Sequence, residues 1–170
     1  MATQSLVRIG RAGPERLDDV EPLWRALREH HTSIASNVAP IRSAEESWKR
    51  RRAEYVTWLS ASDATLLLAE DAVPIGYLML RMTAGPSTWA IGDRIAEIET
   101  LSILSSARSR GVGKSLMAAA REEARERGAT TLSVALIHTN VDARRFYERE
   151  GFNPFYVSML APLVDGASRT

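Results

Sequence analysis

Apolar residues recur along the chain with two different periods, and the changes of period mark out the elements. After Gly13-Pro14 ends a short apolar run at 7–9, Leu17, Val20, Leu23, Trp24 and Leu27 fall on one side of a 3.6-residue turn, which predicts a helix. A second helix is predicted from Ser43, where Ser43 and Glu46 have the spacing of a capping box and Trp48, Arg52, Tyr55 and Leu59 follow at helical steps. The stretch between them, 30–41, is expected to be loop. Runs at 65–69, 75–82 and 96–103 are rich in Leu and Ile and are separated by turn-forming residues at 71–74 and 84–87, so they predict three strands of an antiparallel meander. Beyond Gly111 the helical period returns: Val112, Leu116, Met117, Ala120 and Ala124 form one stripe, Arg and Glu occupy the other side, and Gly128 supplies the stop. Residues 132–137 read as a strand, 141–150 as a helix with Ala143, Phe146 and Tyr147 on one face, and 155–160 as a last strand; 164–170 are expected to be a frayed end.

The order β-α-α-β-β-β-α-β-α-β is interrupted by no repeat or linker. It predicts a single domain over 1–170 of the α+β class, a mixed, mostly antiparallel sheet flanked by helices with a βαβ unit near its end. With 45% hydrophobic residues the chain can bury one core. Its 22 Lys and Arg against 21 Asp and Glu leave a formal charge of +1, too little for a global field, so neither a nucleic-acid nor a membrane partner is expected. Cysteine is absent, which excludes disulfides, thiolate catalysis and Cys-ligated metal and fits a reducing compartment; a cytoplasmic location is the expectation. No apolar run in 1–19 resembles a signal-peptide core. His30, His31 and His138 show no ligand spacing with other donors, so no metal is expected.

The chemistry concentrates in AEIETLSILSSARSRGVG, residues 96–113, where a strand runs through a short loop into a glycine-flanked helix start. First-turn N–H groups have no partner inside their helix, and the helix dipole adds partial positive charge where they point. Gly111 and Gly113 leave room for close backbone approach, and Arg108, Arg110 and Lys114 add cationic donors, so a pyrophosphate is a natural occupant. The plainer alternative is a helix with a flexible, basic start. A nucleoside-triphosphate loop ending in Gly113-Lys114-Ser115 would need glycine at position 108, which is Arg, and a downstream Asp-bearing parallel strand that the pattern does not supply.

Arg108-Ser109-Arg110-Gly111-Val112-Gly113 resembles the Arg/Gln-x-x-Gly-x-Gly/Ala signature of the GNAT superfamily of acetyl-CoA-dependent N-acetyltransferases. Ala96-Glu97-Ile98 through Ile103 is similar to that family's fourth strand, Gly76-Tyr77 to its third, and Asn140, Ala143, Tyr147 and Gly151-Phe152 to its downstream pattern. Ser109 and Ser105 depart from it, standing where many members have Gly and Pro, and 33–59 carries no specific signature. The resemblance implies that the fourth and fifth strands splay apart and that backbone near Leu101 and Ile103 pairs with the pantetheine arm. It further implies that Arg108, Ser109, Arg110, Gly111, Val112, Gly113, Lys114 and Ser115 cradle the pyrophosphate of acetyl-CoA, the acyl donor, with Asn140 also at the cofactor. The acceptor would be a small-molecule or protein amine, and a homodimer through the C-terminal strand is implied in the same way.

Acetylating an amine needs a neutral nitrogen and a proton for the departing thiolate. Glu97 and Glu99 alternate with Ile98, so both should share one face; either is also readable as a solvent-facing glutamate. Glu97 lies six residues before Ile103, where the resembling family often places its base, acting through water, and partial burial would raise its pKa. Tyr147 occupies the position that in the family often protonates the CoA sulfur; the alternative is a core tyrosine. Asn140 is equally an N-cap of the last helix, and both roles can coexist. The rival to an enzyme is an acyl-CoA-binding fold without catalysis, acting as a sensor. The loops at 30–41 and 84–94, which hold Trp89 and little charge, leave the acceptor open.

Overall fold

Leu66, Leu67 and Leu68 are all almost fully buried, which consecutive strand residues achieve only inside a sheet covered on both faces. A computed structural model describing residues 7–161 and 163 shows that sheet. Its strands are β1 (Arg8–Ala12), β2 (Ala64–Asp71), β3 (Val73–Ala84), β4 (Arg94–Ile103) and β5 (Thr131–Val134), paired in chain order. Neighbours are antiparallel except β4 and β5, which run parallel and are therefore joined by a crossover helix. The helices are α1 (Leu17–Ala35), α2 (Ala44–Ser60), α3 (Val112–Glu126) and α4 (Val141–Arg149).

The two faces of the sheet carry separate apolar clusters. On one, Leu67, Leu78, Leu80, Ala96 and Ile98 meet Val112, Leu116, Met117 and Ala120 of α3 and Tyr147 of α4. On the other, Leu66, Leu68, Tyr77 and Met79 meet Leu17, Val20 and Leu23 of α1 and Trp48 and Tyr55 of α2. A β-bulge in β4 decides which residue sees which face. Pairing steps from Met79↔Thr100 to Leu80↔Ile98, so Glu99 is the inserted residue. Beyond it Leu101 and Ile103 pack on the α3 side, while Thr100 and Ser102 turn to α1 and α2. There the Ser102 hydroxyl donates to the Leu23 carbonyl at 2.7 Å, and the Thr100 and Tyr55 hydroxyls share a 2.7 Å hydrogen bond.

Several expectations are met at the level of caps. The Ser43 hydroxyl accepts the Glu46 N–H at 3.2 Å, Asn140 accepts the Ala143 N–H at 3.2 Å, and Gly128 ends α3 at φ +79°. Three are corrected. The loop expected at 30–41 is helical to Ala35, where the Thr32 and Ser33 hydroxyls bond back to the Arg28 and His30 carbonyls and Ala35 is buried. The strand expected at 132–137 ends at Val134, after which Ala135 and Leu136 are exposed and a turn from Ile137 leads into the Asn140 cap. The strand expected at 155–160 does not form: Tyr156, Val157, Met159 and Leu160 are 70%, 89%, 90% and 79% exposed and join no sheet. The frayed end expected at 164–170 lies outside the described residues. Among those residues no helix is long and apolar enough to cross a membrane.

Candidate active site

β5 accompanies β4 only as far as Ile98↔Val134, so among the described residues no strand faces the β4 edge from Glu99 to Ile103. Leu101 and Ile103 lie on this open stretch, half-buried. A 3-10 turn at Ser105–Ala107 then delivers the chain to α3 through two left-handed residues, Ser109 at φ +61° and Gly111 at φ +79°. That geometry turns the first-turn N–H groups of α3 outward: among the described residues nothing accepts from Val112, Gly113 or Lys114, while the Ser115 N–H bonds the Gly111 carbonyl at 3.0 Å. A Cβ on Gly111 would meet nothing within 4 Å, so the backbone there is open to an approaching group.

The predicted cradle divides by role. Arg108, Lys114 and Ser115 are exposed beside the free N–H groups. Arg110 is drawn away, pairing with Asp71 at 2.5 Å and tying the loop to the β2–β3 hairpin. Val112 is buried in the core. Gly113 serves packing, since a Cβ there would lie 3.1 Å from Ile103 Cδ1 and 3.2 Å from Phe146 Cε2. Free N–H groups, an open left-handed glycine and exposed cations suit a diphosphate, and an unpaired strand edge suits an extended amide-bearing arm. The residues present therefore fit coenzyme A.

Glu97 and Glu99 both face the α1/α2 side. Glu99 pairs with Arg51 of α2 at 2.5 Å, and Arg51 lies over the Tyr55 ring at 5.6 Å. Glu97 has no ion pair among the described residues; burial and then the nearby Glu99 charge push its carboxyl above its ordinary range, opposed by Arg81. Arg81 sits directly across on β3 and Ser133 directly across on β5. Tyr147 approaches from the other face, 6% exposed, between Phe146 and Phe152 at 5.2 and 5.3 Å. Burial holds its phenol well above its ordinary value, so the proton stays on. The buried Asn140 caps α4.

Arg51, Arg81 and Ser133 escaped the sequence reading. An arginine inside the otherwise apolar run 75–82 was the available signal for Arg81; nothing in the sequence pairs Arg51 with Glu99. His30 and His31 are neighbours on α1 at 6.2 Å between rings, and among the described residues no group of acidic and imidazole side chains is set to hold a metal. A cavity of about 330 Å³ lies at the opposite end of α3, lined by Arg11, Thr65, Glu123 and Arg127. There Arg11 pairs with Glu123, the Thr65 hydroxyl donates to Glu123 and Arg127 donates to Thr65, so these groups partner one another.

A parallel pair parting beside a helix start defines the acyl-CoA N-acyltransferase fold. The family model of the acetyltransferase (GNAT) family matches residues 24–152, and the chain belongs to that family. A curated relative, the uncharacterized N-acetyltransferase YhfO of Bacillus subtilis (strain 168), is 27% identical over 134 residues, covering 74% of this chain and 88% of its own. Among solved structures, the BH1408 protein from Bacillus halodurans, as a tetramutant, superposes with TM-score 0.78 at 18% identity, covering 92% of this chain and 99% of that one. The aminoglycoside N-acetyltransferase AAC(6')-Iy, solved in complex with CoA, superposes with TM-score 0.71 at 18% identity over 95% and 97%.

Proposed function

We propose that the chain is an acetyl-CoA-dependent N-acetyltransferase that acts as one domain over 1–170 on a primary amine by direct attack. The observation that carries this reading is that, where β4 and β5 part beside the open helix start, one face of the sheet holds a half-buried carboxylate with a raised pKa and the other a buried phenol. Acetyl-CoA supplies an acyl thioester. Its phosphates would rest on the N–H groups of residues 111–114 with Arg108, Ser109, Lys114 and Ser115 beside them, and its arm would follow the edge at Leu101 and Ile103, near Asn140. Arg110 and Val112 support this cradle from behind.

Glu97 then takes the proton of the acceptor amine, directly or through water, and its raised pKa makes it a better base than an exposed carboxylate. Glu99 is engaged by Arg51 in an ion pair and is not free to meet the amine. Tyr147 holds a proton on the opposite side for the departing sulfur. We place the protein in the cytoplasm, which suits a cysteine-free chain. We also infer a homodimer through 155–160, whose apolar side chains are exposed; sedimentation showing a monomer at every concentration would remove it.

The test is release of free thiol from acetyl-CoA over a panel of amines. Turnover by the wild type and its loss in Glu97→Gln is the expected result. CoA binding without turnover on any amine would favour the sensor reading.

A further inference from the structure

Arg81 has five N–H donors and, among the described residues, neither a hydrogen bond nor an ion pair. Its guanidinium lies over the Trp58 ring of α2, 4.6 Å from the centroid, half-buried and held in place by stacking. In the sheet register Arg81 is opposite Glu97, and Glu97 is opposite Ser133. A cation, a carboxylate and a hydroxyl thus stand in a row across β3, β4 and β5 on the face toward α1 and α2. Directly opposed side chains sit about 5 Å apart at Cβ.

A fixed guanidinium beside the base is a liability for an ordinary amine acceptor, because it repels the ammonium form that must arrive and lose its proton. The arrangement becomes favourable when the acceptor brings a negative group of its own. We propose that the acceptor is an amine carrying a carboxylate a few bonds from its nitrogen, an amino-acid-type zwitterion whose acid group docks on Arg81 while the amine sits at Glu97. This deepens the acetyltransferase reading and rests on it. A guanidinium takes a carboxylate in two parallel hydrogen bonds, and the Trp58 ring fixes the plane in which it does so. Ser133 is then placed to bond the acceptor from the β5 side.

The experiment compares matched acceptors that differ only at the acid, an amino acid against its carboxamide, by thiol release with wild type, Arg81→Met and Arg81→Lys. The wild type is expected to favour the acid in kcat/KM by roughly tenfold or more. The ratio should collapse toward one in Arg81→Met, whose side chain still covers Trp58, and be partly kept in Arg81→Lys. Equal rates on acid and carboxamide in the wild type overturn the proposal and leave the acetyltransferase reading standing. An acid preference that survives in Arg81→Met overturns it equally. If no amine of either kind releases thiol while calorimetry still shows acetyl-CoA binding, both readings fall together. Melting curves of the variants confirm that each ratio is read on folded protein.

Discussion

Arg51 reaches from α2 to close a 2.5 Å ion pair with Glu99 at the bulge of β4, and Glu97 on the same face has no such partner among the described residues. The two carboxylates are alike in the sequence, and this one contact separates them: Glu99 is held in an ion pair, and Glu97 is half-buried without one among the described residues.

Glu97→Gln is expected to lower kcat/KM by about 10²- to 10⁴-fold and to remove the acid limb of its pH profile, since a base works only when deprotonated. Stability should move the other way. A carboxyl whose folded pKa is raised binds more protons folded than unfolded, so its contribution is present at low pH and lost as pH rises through the folded value. The variant should therefore melt above the wild type near neutrality and level with it in acid. A lower melting temperature at neutral pH would contradict the buried-carboxylate account.

Arg51→Met should leave Glu99 unpaired and expose Glu97 to its full charge. The acid limb of kcat/KM is expected to shift to higher pH, and adding Glu99→Gln should bring it back. The charged groups acting on Glu97 are Glu99 and Arg81, with Ser133 opposite on β5, and Arg51 pairs with Glu99 and Glu54, so the shift traces to the Glu99 charge. A fall in rate with an unmoved profile would make Arg51 merely a packing residue.

Tyr147→Phe keeps the aromatic volume between Phe146 and Phe152 and removes a hydroxyl that bonds no described group. Stability should barely change. Turnover should fall about a hundredfold, the low end for a general acid because a thiolate leaves readily. A destabilised variant with wild-type turnover would remove Tyr147 from the reaction.

The helix start separates two backbone effects. Gly113→Ala places a Cβ against Ile103 and Phe146 and should lower stability by about 1–3 kcal/mol, read as a drop in melting temperature. Ser109→Gly relieves a left-handed serine and should raise stability by up to about 1 kcal/mol with CoA affinity retained. A Ser109→Gly variant that melts lower would show that its side chain has an unrecognised partner.

Much of this is legible in the sequence. The apolar stripe of α3, the caps at Ser43 and Asn140 and the three-strand meander are local, set by period and turn chemistry, and they appear where expected. The features that were missed are non-local. The bulge at Glu99 depends on β3 register, the Arg51–Glu99 pair joins residues on different elements, and the close approach of Ile103 and Phe146 to Gly113 depends on how β4 and α4 pack. The run 155–160 has the composition of a strand, but composition does not supply a pairing partner, and its side chains stay exposed outside the sheet.

Helix α3 runs the length of the site it serves. Its first turn faces the gap beside β4, and near its far end Glu123 is buried against Thr65 and Arg11, while Arg127, just past the end, reaches Thr65 and the Ser62 carbonyl. A single rod pinned at one end to β1 and β2 opens as a unit. Loading the other end with a diphosphate should then slow amide hydrogen exchange along all of Val112–Glu126, so that the ligand is felt at β1, across the molecule from where it binds.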